Sequence, residues 1–174
     1  MYRKDELIVY GNTGVCRISD ICTLKDDADG RLYYKLTPIF EKCDITIPIN
    51  TKVFIRPVIS KEEALDLISK LPHLKITLPE VQNSRQLKDY YKTAFTFNTC
   101  EGLSMLIKTI YAKINSQTAS GKKPCQTDLQ YIKKAEELLY GELSVALDIP
   151  YDEVPGFIEK TISNLEADEI CQCS

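Results

Sequence analysis

The stretch Ile55-Arg56-Pro57-Val58-Ile59-Ser60-Lys61-Glu62-Glu63-Ala64-Leu65-Asp66-Leu67-Ile68-Ser69-Lys70-Leu71-Pro72 decides how the chain is divided. Its first residues continue a run from Val53 that is rich in β-branched and aromatic side chains and closes at Pro57, the composition of a short strand. At Ser60 the period changes. Ser60 and Glu63 stand three apart, the spacing of a capping box, where hydroxyl and carboxylate satisfy N–H groups that a first helical turn leaves open. Ala64, Leu65, Leu67, Ile68 and Leu71 then follow helical spacing, and Pro72 stops the helix.

Upstream of this junction the chain reads as strands. Residues 7–10 are apolar and end at the turn signal Gly11-Asn12-Thr13-Gly14. Residues 15–21 alternate imperfectly, which leaves their register open. A polar loop, Asp26-Asp27-Ala28-Asp29-Gly30, suits a hairpin. Residues 32–38 and 44–49 follow as strands, the second with Ile45, Ile47 and Ile49 on alternate positions. Five short strands with short turns suggest a small barrel. Downstream, a connector at 73–83 containing Pro79 leads into helices expected over 84–96, 100–117, 125–147 and 151–164. Strands followed by helices make the expected class α+β, with a small β-barrel before an all-α domain of about five helices. The expected boundaries are 1–58, 59–165 and an acidic tail, 166–174, that frays.

The 174 residues carry a net charge of −3, which hides a gradient. Residues 60–135 hold twelve basic and seven acidic side chains, while residues 136–174 hold one basic and ten acidic. Between Arg85 and Lys134 the balance is nine basic to three acidic, so only this segment has an electrostatic case for phosphate. Arg85, Lys88 and Lys92 share one helix face by spacing. Lys122 and Lys123 fall in a loop, and Lys133 and Lys134 lie two turns into the next helix. These sets suit a phosphate backbone rather than base edges. Most of Tyr90, Tyr91, Tyr111, Tyr131 and Tyr140 are expected as core or half-core residues with the hydroxyl at the surface.

Catalytic signatures are missing. The single histidine, His73, has no partner in its Leu71-Pro72-His73-Leu74 context, and no glycine-rich phosphate loop occurs. Asp26, Asp27 and Asp29 resemble part of a calcium loop, but no glutamate follows at the twelfth position. No enzyme activity and no cofactor are expected. No apolar run approaches a membrane span, and Met1–Glu6 is polar, so a cytoplasmic protein is expected. Seven cysteines at irregular spacing do not form a disulfide framework, although Cys171 and Cys173 could hold a soft metal or oxidise.

The joint order of these segments resembles the CarD/CdnL family of bacterial transcription regulators, over residues 5 to 163. The resemblance rests on Val9-Tyr10-Gly11-Asn12-Thr13-Gly14-Val15, Tyr33-Tyr34-Lys35-Leu36, Ile45-Thr46-Ile47-Pro48-Ile49 and Ile55-Arg56-Pro57-Val58-Ile59-Ser60. In the helical half it rests on Ile107-Lys108-Thr109-Ile110-Tyr111 and Lys134-Ala135-Glu136-Glu137-Leu138-Leu139-Tyr140-Gly141-Glu142-Leu143. It implies a Tudor-like barrel, a module also found in transcription-repair coupling factors, that binds the β subunit of RNA polymerase. It further implies a helical domain on promoter DNA that modulates open-complex stability. The polymerase surface it implies spans Leu24, Lys25, Asp26, Thr46 and Ile47. The DNA surface it implies takes in Ser84, Arg85, Lys88, Lys92, Lys122, Lys123, Lys133 and Lys134. Many members carry a wedging tryptophan where this chain places Ser84, and the chain has no tryptophan. Two basic positions of some members fall at Leu24 and Thr46, so neither charge is kept. A monomer is expected, with no membrane partner. The alternatives are a protein–protein adaptor with little DNA contact, and a thiol- or metal-responsive protein using Cys171 and Cys173.

Overall fold

The computed structural model describes residues 1–24, 30–76 and 83–172, and the protein is α+β. Five strands come first: β1 (Leu7–Tyr10), β2 (Gly14–Thr23), β3 (Leu32–Pro38), β4 (Ile45–Pro48) and β5 (Ile55–Pro57). They form one antiparallel sheet in the order β4-β3-β2-β1-β5. Gly11 and Gly14 bracket the turn between β1 and β2 at φ of 43° and 88°, values that glycine adopts without strain. The imperfect alternation of residues 15–21 has a structural cause. A bulge shifts the register between Ile18 and Asp20, so Ile18 sits opposite Leu36 and Ile21 opposite Tyr34. One sheet face then carries Ile8, Cys16, Ile18, Tyr34, Leu36 and Ile47 into a single apolar cluster.

The sheet is open, which corrects the barrel expectation. Among the described residues β4 and β5 are its two ends and do not pair with each other. The edge strands are four and three residues long. Each contains a proline, Pro48 and Pro57, with no N–H to offer a closing strand. Short strands bearing proline are how natural sheets manage an edge.

Five α-helices follow: α1 (Lys61–Lys70), α2 (Ser84–Phe97), α3 (Cys100–Ala119), α4 (Gln126–Leu147) and α5 (Val154–Gln172). The Ser60 box is realised in both directions, with the Glu63 N–H donating to Ser60 Oγ at 3.1 Å and the Ser60 N–H to Glu63 Oε2 at 2.7 Å. Asn83 and Thr99 cap α2 and α3 with side-chain oxygens. Asn98 and Asp148, both left-handed, end α2 and α4. A 3-10 turn at Tyr151–Glu153 precedes α5, so the last α-helix starts three residues later than expected. It also runs on to Gln172, eight residues past the expected end at 164. Leu165, Glu166 and Ala167 are strong helix formers and carry the helix onward. The helical core gathers Ile68, Tyr91, Leu103, Ile110, Leu143 and Val154. The chain divides into two compact units, Met1–Val58 and Ile59–Ser174.

Candidate binding surfaces

On the sheet unit, Leu24 follows β2 and is 40% exposed. Lys25 and Asp26 lie outside the described residues, as do Asp27 and Asp29. Thr46 is exposed on β4 opposite Lys35. Its neighbour Ile47 is 5% exposed and packs in the sheet core, so its side chain is spent on packing rather than on a partner. The hydrogen-bond pattern says which backbone groups of β4 face outward. The Ile49 N–H donates to Leu32 O at 3.0 Å. Antiparallel bonding alternates by two, so Ile45 and Ile47 aim their N–H groups at β3 while Thr46 and Pro48 point away. Pro48 has no N–H. Thr46 therefore presents the one outward-facing N–H of this edge strand, beside outward carbonyls that can accept.

On the helical unit, α2 turns Leu87 and Tyr91 inward and leaves Ser84, Arg85, Lys88 and Lys92 exposed. Lys92 lies 3.6 Å from Asp89, an exposed pair of little energetic weight. Lys122 and Lys123 are exposed in the turn between α3 and α4. Of the other four, Lys133 is also exposed and Lys134 half-buried, while Lys108 and Lys113 turn to partners within the protein. Lys134 is 3.8 Å from Glu137, and Lys133 lines a groove with Glu136, Glu137 and Asp152. Lys108 donates to the carbonyls of Leu71, Pro72 and Leu74 at 2.8, 2.8 and 3.1 Å, closing the chain end that follows α1. Lys113 reaches inward to Asp128 at 2.9 Å. The exposed basic residues of the segment are thus Arg85, Lys88, Lys92, Lys122, Lys123 and Lys133, the last beside the acids Glu136, Glu137 and Asp152.

The inward lysine belongs to a buried polar cluster. Asp128 is fully buried and also accepts from the Tyr91 hydroxyl at 2.8 Å. Burial, and then this bond to Asp128, push the Tyr91 phenol far above its ordinary range. Its hydroxyl is in the core, which corrects the expectation of tyrosine hydroxyls at the surface. A second buried carboxylate, Glu142, accepts from the Ile59 N–H at 3.1 Å and from the Cys100 thiol at 3.0 Å. Periodicity did not single out either acid. Asp128 stands in a first helical turn, where acids are common, and Glu142 occupies a core position between Leu138 and Leu143. The visible signal is a charged residue interrupting an apolar stripe.

His73 is exposed in a 3-10 turn. Cys16 and Cys100 are buried, Cys22 and Cys125 half-buried and Cys43 exposed, and none of these five is in a disulfide. The side chain of Cys171 and the whole of Cys173 lie outside the described residues. Among the described residues no group of three metal-ligating side chains comes together, and no helix is long and apolar enough to cross a membrane. Fold and surfaces together define a two-unit α+β protein with an open sheet edge on one unit and a limited basic face on the other. No protein-family model and no curated protein sequence matches the chain.

Proposed function

We propose that the protein is a non-enzymatic regulator of bacterial transcription. The sheet unit binds the β subunit of RNA polymerase by strand addition at the β4 edge beside Thr46, with Leu24 in the polymerase region that the sequence resemblance implies. The helical unit contacts promoter DNA through Arg85, Lys88, Lys92, Lys122 and Lys123, and its preference for the open or the closed complex sets the shift in that equilibrium. The carrying observation is the open edge with one outward N–H, at the place where the sequence resemblance puts the polymerase surface. A peptide strand gains affinity from main-chain bonds at such an edge, so the loss of charge at positions 24 and 46 weakens steering more than docking.

The test is binding of the full-length chain to purified polymerase β subunit, with Thr46→Pro as the probe. This change removes the outward N–H and costs no bond to β3. Affinity is expected to fall about tenfold, the worth of roughly one charge-free hydrogen bond made in a dry interface. Unchanged affinity in a folded variant overturns docking at this edge.

A second reading, an adaptor on polymerase with little DNA contact, is favoured by the inward use of Lys108 and Lys113. Reversing charge at Arg85, Lys88 and Lys122 separates the two. DNA contact predicts a shorter promoter-complex lifetime and a salt slope reduced by about 0.9 per lost contact. An unchanged lifetime leaves the adaptor.

A further inference from the structure

Two grooves on the helical unit share a wall. One is apolar, about 310 Å³ in volume, with Leu71, Ile107, Leu139, Ile158 and Ile162 among its lining residues. The other, also about 310 Å³, is lined by the carboxylates of Glu136, Glu137 and Asp152, the rings of Tyr140 and Tyr151, and Lys133. Tyr140 lines both. Tyr111 lines the apolar groove and donates its hydroxyl to Glu136 at 2.7 Å, so a second tyrosine ties the two together. Tyr140 and Tyr151 meet edge to face, with ring centroids 6.4 Å apart.

We propose that the two grooves form one docking site for a basic segment of a protein partner, with an arginine among the carboxylates and tyrosines and an adjacent apolar side chain in the neighbouring groove. Charge complementarity selects this occupant. Glu136, Glu137 and Asp152 gather in the groove against Lys133, with Lys134 beside Glu137 at 3.8 Å. Ten acidic residues and one basic residue occupy positions 136–174, so the surrounding field is negative as well. Such a surface repels nucleic acid and steers a cationic segment. A guanidinium suits it because its planar fork binds carboxylates in pairs and stacks on aromatic rings. The carboxylates already act on these rings. Tyr111 is pushed up to about 12 by its bond to Glu136 and then by burial, and Tyr140 is pushed up to about 12 by burial and then by Glu136. An apolar trough beside an acidic one matches a short motif that alternates the two side-chain types.

Lys133 gives the site an internal control. Lys133 lines the groove that the arginine is to enter, so its positive charge opposes the ligand's. The inference gives the helical unit a protein partner whether or not that unit also meets DNA, and its test uses neither polymerase nor DNA.

The experiment is chemical-shift mapping of the isotope-labelled full-length chain with a blocked tetrapeptide holding arginine followed by leucine. The control is the same peptide with citrulline, which keeps the shape and removes the charge. The arginine peptide is expected to shift amides around 136–140 and 151–154, and the citrulline peptide to shift them several-fold less. Glu136→Gln with Glu137→Gln is expected to weaken binding about tenfold, while Lys133→Met strengthens it. Lys133 and Glu137 are exposed on α4, and a glutamine at the half-buried Glu136 can still accept from the Tyr111 hydroxyl, so the variants test binding rather than folding. No shifts at the groove, equal shifts with citrulline, or weaker binding in Lys133→Met would overturn the proposal. So would shifts at the groove that grow with protein concentration in the absence of peptide, since the occupant is then a second copy.

Discussion

The two units bury their interiors by different rules. The sheet unit closes its cluster with Ile8, Ile18, Tyr34, Leu36, Ile47 and the Cys16 thiol, and no charged residue enters it among the described residues. The helical unit places Asp128 and Glu142 among its leucines and holds each with specific donors. An apolar cluster tolerates small changes in shape, because its contacts have no direction. A buried carboxylate tolerates almost none, because every donor it loses leaves a charge without compensation. The helical unit is therefore the one whose stability hangs on single atoms.

The largest expected effect tests that contrast directly. Asp128→Ala strands the Lys113 ammonium and the Tyr91 hydroxyl, and should cost about 3 kcal/mol, the lower end for breaking a buried pair because Lys113 keeps some access to water. Urea unfolding followed by helical circular dichroism measures it. Replacing all three partners at once, as Asp128→Leu with Lys113→Met and Tyr91→Phe, should recover most of the loss. If the triple variant is as weak as the single one, the cluster is not held by its polar pairing. On the sheet unit the matching probe is Leu36→Ala. A fully buried leucine exchanged for alanine costs about 2–3 kcal/mol by lost transfer energy and cavity, and no polar partner exists whose removal would restore it. Hydrogen exchange of β2 and β3 amides reads that change where it occurs.

The boundary at Ser60 was legible because a capping box and a change of period are both local signals. The helices were legible for the same reason, to within a few residues at each end except at the end of α5, which runs eight residues past 164. What could not be read were outcomes decided by partners distant in sequence. Whether β4 meets β5 depends on the lengths of both strands and on Pro48 and Pro57 standing at the two edges. The basic balance from Arg85 to Lys134 was visible, but its division was not. Lys108 turns to carbonyls 34 to 37 residues away and Lys113 to an acid 15 residues away, and no pattern in the chain announces either. The acidic groove shows the opposite case. The excess of acid after residue 136 was plain, yet only the fold brings Asp152 to Glu136 and Glu137 and places two tyrosines between them.

The smallest expected effect sharpens the comparison on the alkaline side, where both units lose stability but from different starting points. In the sheet, burial and then the neighbouring Cys43 and Glu41 push the Cys16 thiol up to about 12 from an ordinary value of 9.0. In the helical unit, Tyr140 is pushed up to about 12 from 10.0 by burial and then by Glu136. Each group is neutral when folded and ionises sooner once unfolded. Above its ordinary value the unfolded chain releases the proton while the folded chain keeps it, so stability falls with rising pH until the folded value is passed. Below both ordinary values the contribution is complete and flat. The sheet should therefore begin to weaken near pH 9 and the helical unit near pH 10. Exchange-resolved stabilities between pH 8 and pH 11 measure the two onsets. Cys16→Ala should flatten the sheet's decline and leave the helical one in place, while Tyr140→Phe should lessen the helical decline, to which the buried Tyr91 also contributes, and leave the sheet's in place. Tyr111 contributes less despite its own upward shift, because it is 48% exposed and water already screens it. Onsets that coincide, or a decline in the sheet that survives Cys16→Ala, would remove the buried thiol as its cause.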